Sequence, residues 1–141
     1  MEKEKPEIVP PSVPKILIVV LIEVIIAIIH AFRLGQLFNG QMHNLYYSYA
    51  SDLILPFGAY FLLCTNDATI PFFRKWYVKA GIIFSLTSMA EICQFFGIDA
   101  LGVTFDPIDI CMYGAGVLIA AWLDVKLFTS LFGFWATTKN E

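Results

Sequence analysis

Long apolar runs alternate with short polar breaks along the chain, and the runs have the lengths of helices rather than strands. Lys15 to Phe32 reads KILIVVLIEVIIAIIHAF, with Glu23 as the one charge inside it. As a helix this run measures about 27 Å, close to the ~30 Å hydrocarbon thickness of a bilayer. A signal peptide is the competing reading. The flank is not clearly basic, Glu23 interrupts the run, and no convincing A-x-A cleavage site follows. The second run, Leu45 to Cys64, contains Asp52, Pro56 and Gly58. Pro56 predicts a kink, because it removes a ladder hydrogen bond that neighbouring helices must compensate. Val78 to Phe96 forms a third run, and a fourth starts at Pro107 and continues through IDICMYGAGVLIAAWLDVKLF.

These runs predict an all-α fold, a polytopic bundle of four transmembrane helices at about 15–33, 45–64, 78–96 and 107–128. They form a single transmembrane domain over 15–128. Residues 1–14 carry all four prolines of the first segment and read as an extended tail; 129–141 read as a second tail, with Trp135 suited to a headgroup interface. Composition strengthens the membrane reading: 58% of residues are hydrophobic, 15% are charged and the mean hydropathy is +0.71. Soluble chains are nearer ~45–50% apolar and ~25% charged. A net charge of -3 with no basic tract argues against nucleic-acid binding. Cys64, Cys93 and Cys111 lie in or beside apolar segments at spacings unlike a metal knuckle, and read as small buried hydrophobes.

Four spans place both termini on one side. Lys3, Lys5, Lys15, Arg74, Lys75, Lys79, Lys126 and Lys139 fall at the ends or in the loop of that side, against Arg33 alone on the other. The positive-inside rule therefore predicts a multi-pass cell-membrane protein with cytoplasmic termini. Depth follows from helical rise. Glu91 stands roughly 18 Å above the cytoplasmic edge and Asp52 roughly 10 Å below the outer edge. His30 and Arg33 close the first helix at that level, Gln94 lies one turn above Glu91, and Asp106 and Asp109 open the fourth helix.

Charges in hydrocarbon cost about 2.5–3.5 kcal/mol on insertion scales, so these residues are expected to face one another in an outward polar pocket. Arg33 is the preferred partner for Glu91 or Asp106, with Asp52 as a competitor. Each position also has a structural reading. Asp106 suits an N-cap, Pro107 the first helical position and Asp109 the first turn, where the helix dipole favours an acid. Glu91 and Asp52 suit ion pairs between helices, His30 an interfacial site, and His43 a solvated loop. Glu23, roughly 12 Å above Lys15, suits a polar contact between helices. Gly114, Gly116 and Ala120 suit close helix packing.

The order Asp52-Leu-Ile-Leu-Pro-Phe-Gly58, then Ala90-Glu-Ile-Cys-Gln-Phe-Phe96, then Phe105-Asp-Pro-Ile-Asp109 with Tyr113 and Gly116 following, resembles the VanZ-like family of small membrane proteins. The likeness covers about Asp52 to Asp124, half of the chain. It departs from the family pattern where Gly102-Val-Thr-Phe105 replaces a stretch that often holds an arginine, and where Tyr113 replaces an asparagine. The family is named for a protein associated with low-level resistance to the glycopeptide antibiotic teicoplanin, and most members have no established activity. The resemblance points to Asp52, Glu91, Gln94, Asp106 and Asp109.

Residues and resemblance together define a candidate ligand-binding set of Arg33, Asp52, Glu91, Gln94, Asp106 and Asp109. The first reading is an outward acidic pocket that binds an envelope or antibiotic-related ligand or partner. The alternative is a membrane-embedded enzyme acting on a lipid-linked or envelope substrate, with Glu91, Asp106 and Asp109 as acid–base groups or divalent-cation ligands. No other cofactor is called for. A small carrier is the third reading, and it would require a homo-oligomer to build a path.

Overall fold

The computed structural model describes residues 12–98 and 105–136, and among them every regular element is helical. Four long helices, α1 (Val13–Ala31), α2 (Gln41–Cys64), α3 (Trp76–Phe95) and α4 (Pro107–Trp122), form the fold. Short 3₁₀ turns precede α2 (Leu34–Leu37) and α3 (Pro71–Arg74). Past Trp122 the fourth helix continues through a π-helical stretch, Leu123–Phe128, and a last α-turn, Thr129–Leu131. Two helices are long and apolar enough to cross a membrane, Val13–Ala31 and the continuous Pro107–Leu131.

Local chemistry explains the helix ends. α1 begins with Pro14 in its first turn and stops where Arg33 turns left-handed at φ 48°. α3 closes in a Schellman motif: Gly97 takes φ 77°, its N–H donates to the Gln94 carbonyl, and the Ile98 N–H donates to the Cys93 carbonyl at 2.9 Å. Only glycine adopts that conformation without cost. α4 begins as the sequence predicts, with the Asp106 carboxylate accepting from the Ile108 N–H at 2.9 Å, Pro107 in the first turn and Asp109 behind it. Boundaries shift by at most four residues, and the α2 end and α4 start coincide with the expected ones. α2 starts at Gln41, so His43 is helical and packs on the Tyr47 ring, with centroids 4.6 Å apart, rather than lying in a loop.

α2 and α4 form the principal interface. A Cβ on Gly116 would stand 2.1 Å from the Leu53 carbonyl oxygen, so the two backbones touch at the one residue that permits it. α2 stays helical through Pro56, which packs against this contact. Val117, Ala120 and Ala121 continue the α4 face into the core with Tyr60, Phe61 and Ile83. α1 is the least covered helix and docks mainly on α2. Leu17, Leu21, Ile25 and Ile28 on its outer face are exposed. Polarity is distributed the opposite way: Lys15, Asp67, Lys79, Thr87, Glu91, Gln94 and Asp124 are all buried.

The C-terminal end differs from the expected tail. The fourth helix runs to Leu131, after which the chain folds back and buries Trp135 to 1% exposure against Phe61, Phe128 and Phe132. An interfacial position for Trp135 is thereby corrected. Its indole N–H has a carboxylate partner inside, and that bond outweighs the headgroup preference of the ring. The cysteines are also less uniform than expected: Cys64 is buried beside a lysine, while Cys111 is exposed.

Candidate functional site

Two polar clusters lie at opposite ends of the bundle. The first gathers Asp52 from α2, Glu91 from α3, and Asp106, Asp109 and Tyr113 from α4. Glu91 is 1% exposed. One of its carboxylate oxygens accepts from the Asp106 backbone N–H at 2.7 Å, and the other accepts from the Tyr113 hydroxyl at 3.4 Å. Tyr113 also adjoins Asp52, and the Asp52 and Asp109 carboxyls adjoin each other. Both are half-buried. Tyr49, one turn before Asp52, brings its hydroxyl to Asp106.

The helix pairing described above sets this arrangement. Asp109 and Tyr113 are four residues apart and share one face of α4, while Tyr49 and Asp52 are three apart on α2. The Gly116 contact presses these faces together. Asp106 is committed to capping α4, and Glu91 holds the same turn through the Asp106 N–H. The acids left open to a ligand are therefore Asp52 and Asp109, backed by Glu91 and Tyr113.

Of the six predicted site residues, the structure brings together Asp52, Glu91, Asp106 and Asp109. Gln94 is buried on α3, one turn beyond Glu91. Arg33 is set apart: it is exposed and lines a small cavity of about 70 Å³ with His30, Tyr46 and Ser51. Its left-handed backbone turns it out of the helix that was expected to aim it. Among the described residues it forms no ion pair with any carboxylate of the cluster, nor does any other cation. His30 bonds to the Ile26 carbonyl and approaches Ser51. Glu23 packs its carboxylate against Gly58 of α2, and among the described residues its Oε1 is buried without a hydrogen-bond partner. No group of three His, Cys, Asp or Glu side chains among the described residues is arranged to hold a metal.

The second cluster was missed by the sequence reading. Asp124, on the π-helical stretch, accepts from Lys79 Nζ and the Tyr60 hydroxyl, both at 2.7 Å, and from the Trp135 indole N–H at 2.6 Å. Thr129 donates its N–H and its hydroxyl to the Asp124 carbonyl, which holds the wide turn. Lys79 also donates to Cys64 Sγ at 3.1 Å and lies 4.0 Å from Asp67. Asp67 in turn takes Lys15 Nζ at 2.5 Å, and the same ammonium donates to the Trp135 carbonyl at 3.1 Å. Lys15 and Lys79 had been counted only as markers of sidedness. The available signal was position: each of these charges lies within a turn or two of a predicted span end, all at the same end.

Among the described residues these features define an all-α helical protein with a buried ion-pair network at one end and, at the other, a carboxylate cluster that no cation pairs. Comparison with known proteins finds no matching family model, no significant match to a curated protein and none to a solved structure.

Proposed function

We propose that this chain is a VanZ-like polytopic membrane protein whose four helices all cross the bilayer, with the ion-pair network at the cytoplasmic end. In that setting the carboxylate cluster faces outward and binds a cationic or hydrogen-bond-donating ligand of the cell envelope. One observation carries the reading: Asp52, Glu91, Asp106 and Asp109 converge with no cation among the described residues to pair them. Adjoining carboxyls in a low-dielectric site either share a proton or recruit positive charge. The first condition suits acid–base chemistry, the second ligand capture. Exposed apolar side chains on α1 and α4 support lipid as the surrounding solvent, because soluble monomers rarely expose apolar patches of that extent.

Ligand capture is favoured because Asp106 and one oxygen of Glu91 are occupied by main-chain N–H groups, which leaves a receptor rather than a full acid–base set. The alternative, an enzyme on a lipid-linked or envelope substrate, rests on the Asp52–Asp109 contact. Thermal unfolding of the purified protein in detergent tests the proposal, with teicoplanin, magnesium and calcium as probes. A probe that binds the folded state raises the melting temperature, increasingly as its concentration exceeds its Kd. Stabilisation by at least one probe, absent in the D52N/D109N double variant, is expected. Stabilisation by none, or stabilisation that survives the double variant, overturns it.

A further inference from the structure

At the end that holds the ion-pair network, a cleft of about 330 Å³ opens beside the α3 start, lined by Arg74, Lys75, Trp76 and Thr129 among others. Its acids are already spent: Asp67 and Asp124 pair with Lys15 and Lys79. Its outer cations are not. Among the described residues, Arg74, Lys75 and the nearby Lys126 form no ion pair. The Asp67 and Ala68 carbonyls accept from the Arg74 guanidinium at 3.2 and 3.5 Å, which fixes its position without neutralising it. Lys75 stands over the Tyr77 ring at 5.9 Å.

This cleft does not stop at its polar walls. Trp76 and Val125 also line an apolar groove of about 300 Å³ between α3 and α4, with Lys126 at its mouth. Leu118 connects that groove to a second, of about 270 Å³, whose floor is Gly81 and Gly114. From Trp76 to Phe84 the groove follows α3 for roughly 12 Å, most of the ~15 Å half-thickness of a bilayer core. A Cβ added to Gly81 would meet nothing within 4 Å, so the trough is open at that point.

We infer that the α3–α4 groove is a binding site for an anionic phospholipid, with the phosphate headgroup on Arg74, Lys75 and Lys126 and one acyl chain along Trp76, Leu118 and Phe84. Charge complementarity selects the occupant: an acyl chain alone would need only the groove, and a zwitterionic lipid brings its own ammonium beside the phosphate, so it adds no net counter-charge to three unpaired cations. Basic pockets between helices at a cytoplasmic face recognise anionic headgroups on this principle. The inference rests on the membrane reading above and is independent of the carboxylate site.

The experiment reconstitutes the full chain in vesicles of phosphatidylcholine and phosphatidylglycerol, with one lipid or the other carrying brominated acyl chains, and reads tryptophan quenching. Trp76 and Trp122 lie on the groove, whereas Trp135 is buried. Brominated phosphatidylglycerol should quench at a mole fraction at least about fivefold lower than brominated phosphatidylcholine, since each juxtamembrane cation that engages the headgroup contributes about fivefold. R74Q/K75Q/K126Q should bring the two lipids level. G81L, which keeps the cations and fills the trough, should also reduce the preference, and it guards against a loop disturbed by loss of Arg74. Equal quenching in the wild type, a preference that survives both variants, or its loss to excess inorganic phosphate but not to chloride at the same ionic strength, overturns the inference. Quenching by neither lipid overturns the membrane reading itself, and the two failures are thus told apart.

Discussion

Both ends of the bundle bring several acids into the protein interior, and they treat them in opposite ways. At one end Asp67 and Asp124 each meet a lysine, and the remaining lone pairs of Asp124 are taken by Tyr60 and Trp135. At the other, Asp52, Glu91 and Asp109 meet one another, Tyr113 and a backbone N–H. A saturated network rigidifies and specifies packing, because leaving any member unpaired is costly. A set of acids without cations contributes little to stability, and on the function proposed above it holds its charge for a ligand. The contrast therefore separates an end built to hold the fold together from one proposed to bind.

The sharpest way to break this comparison is at Lys79. K79M leaves Asp124 and Cys64 facing a removed ammonium, and should cost about 3–5 kcal/mol of stability. Denaturant titration in detergent would measure it, and K79M/D124L should recover much of the loss because no unpaired charge remains. A single variant no worse than the double would show that the pair is not a staple. G116A tests the contact that links the two ends. The added methyl meets the Leu53 carbonyl, so a loss of about 1–3 kcal/mol is expected, with ligand binding and stability falling together. W135F keeps the aromatic packing and removes the N–H given to Asp124; about 1–3 kcal/mol should be lost, read as a lower melting temperature.

The smallest change in stability is expected at the open end, and its sign is the opposite one. D52N and D109N relieve the contact between like groups and should leave stability unchanged or raise it by up to about 1 kcal/mol, while abolishing ligand-dependent stabilisation. A clear fall in melting temperature in both variants would make this cluster structural and erase the distinction between the ends.

Much of this was legible from residue order. Helix existence followed from the apolar runs, the α4 start from Asp106-Pro107, and the close packing from Gly116. The convergence of Asp52, Glu91, Asp106 and Asp109 followed from helical rise once the spans had alternated direction. Tyr49 and Tyr113 could have been added by helical spacing alone, since they share faces with Asp52 and Asp109. Arg33 was misplaced because one left-handed residue, invisible in composition, takes it off the helix. The Lys79–Asp124 network was hidden for a different reason: counting basic residues for sidedness treats them as solvated, whereas burial depends on partners distant in sequence. Trp135 was misread on the same ground, since nothing near it in the sequence announces Asp124 as its acceptor.

The fold-back at Trp135 also bears on how α1 is held in place. Lys15 finds its first partner in Asp67 and its second in the Trp135 carbonyl, at separations of 52 and 120 residues. α1 is thus tied both to the α2–α3 connection and to the fold-back after Leu131 through one ammonium. With only Lys15 and Val19 buried, it depends on that single side chain for its register against α2.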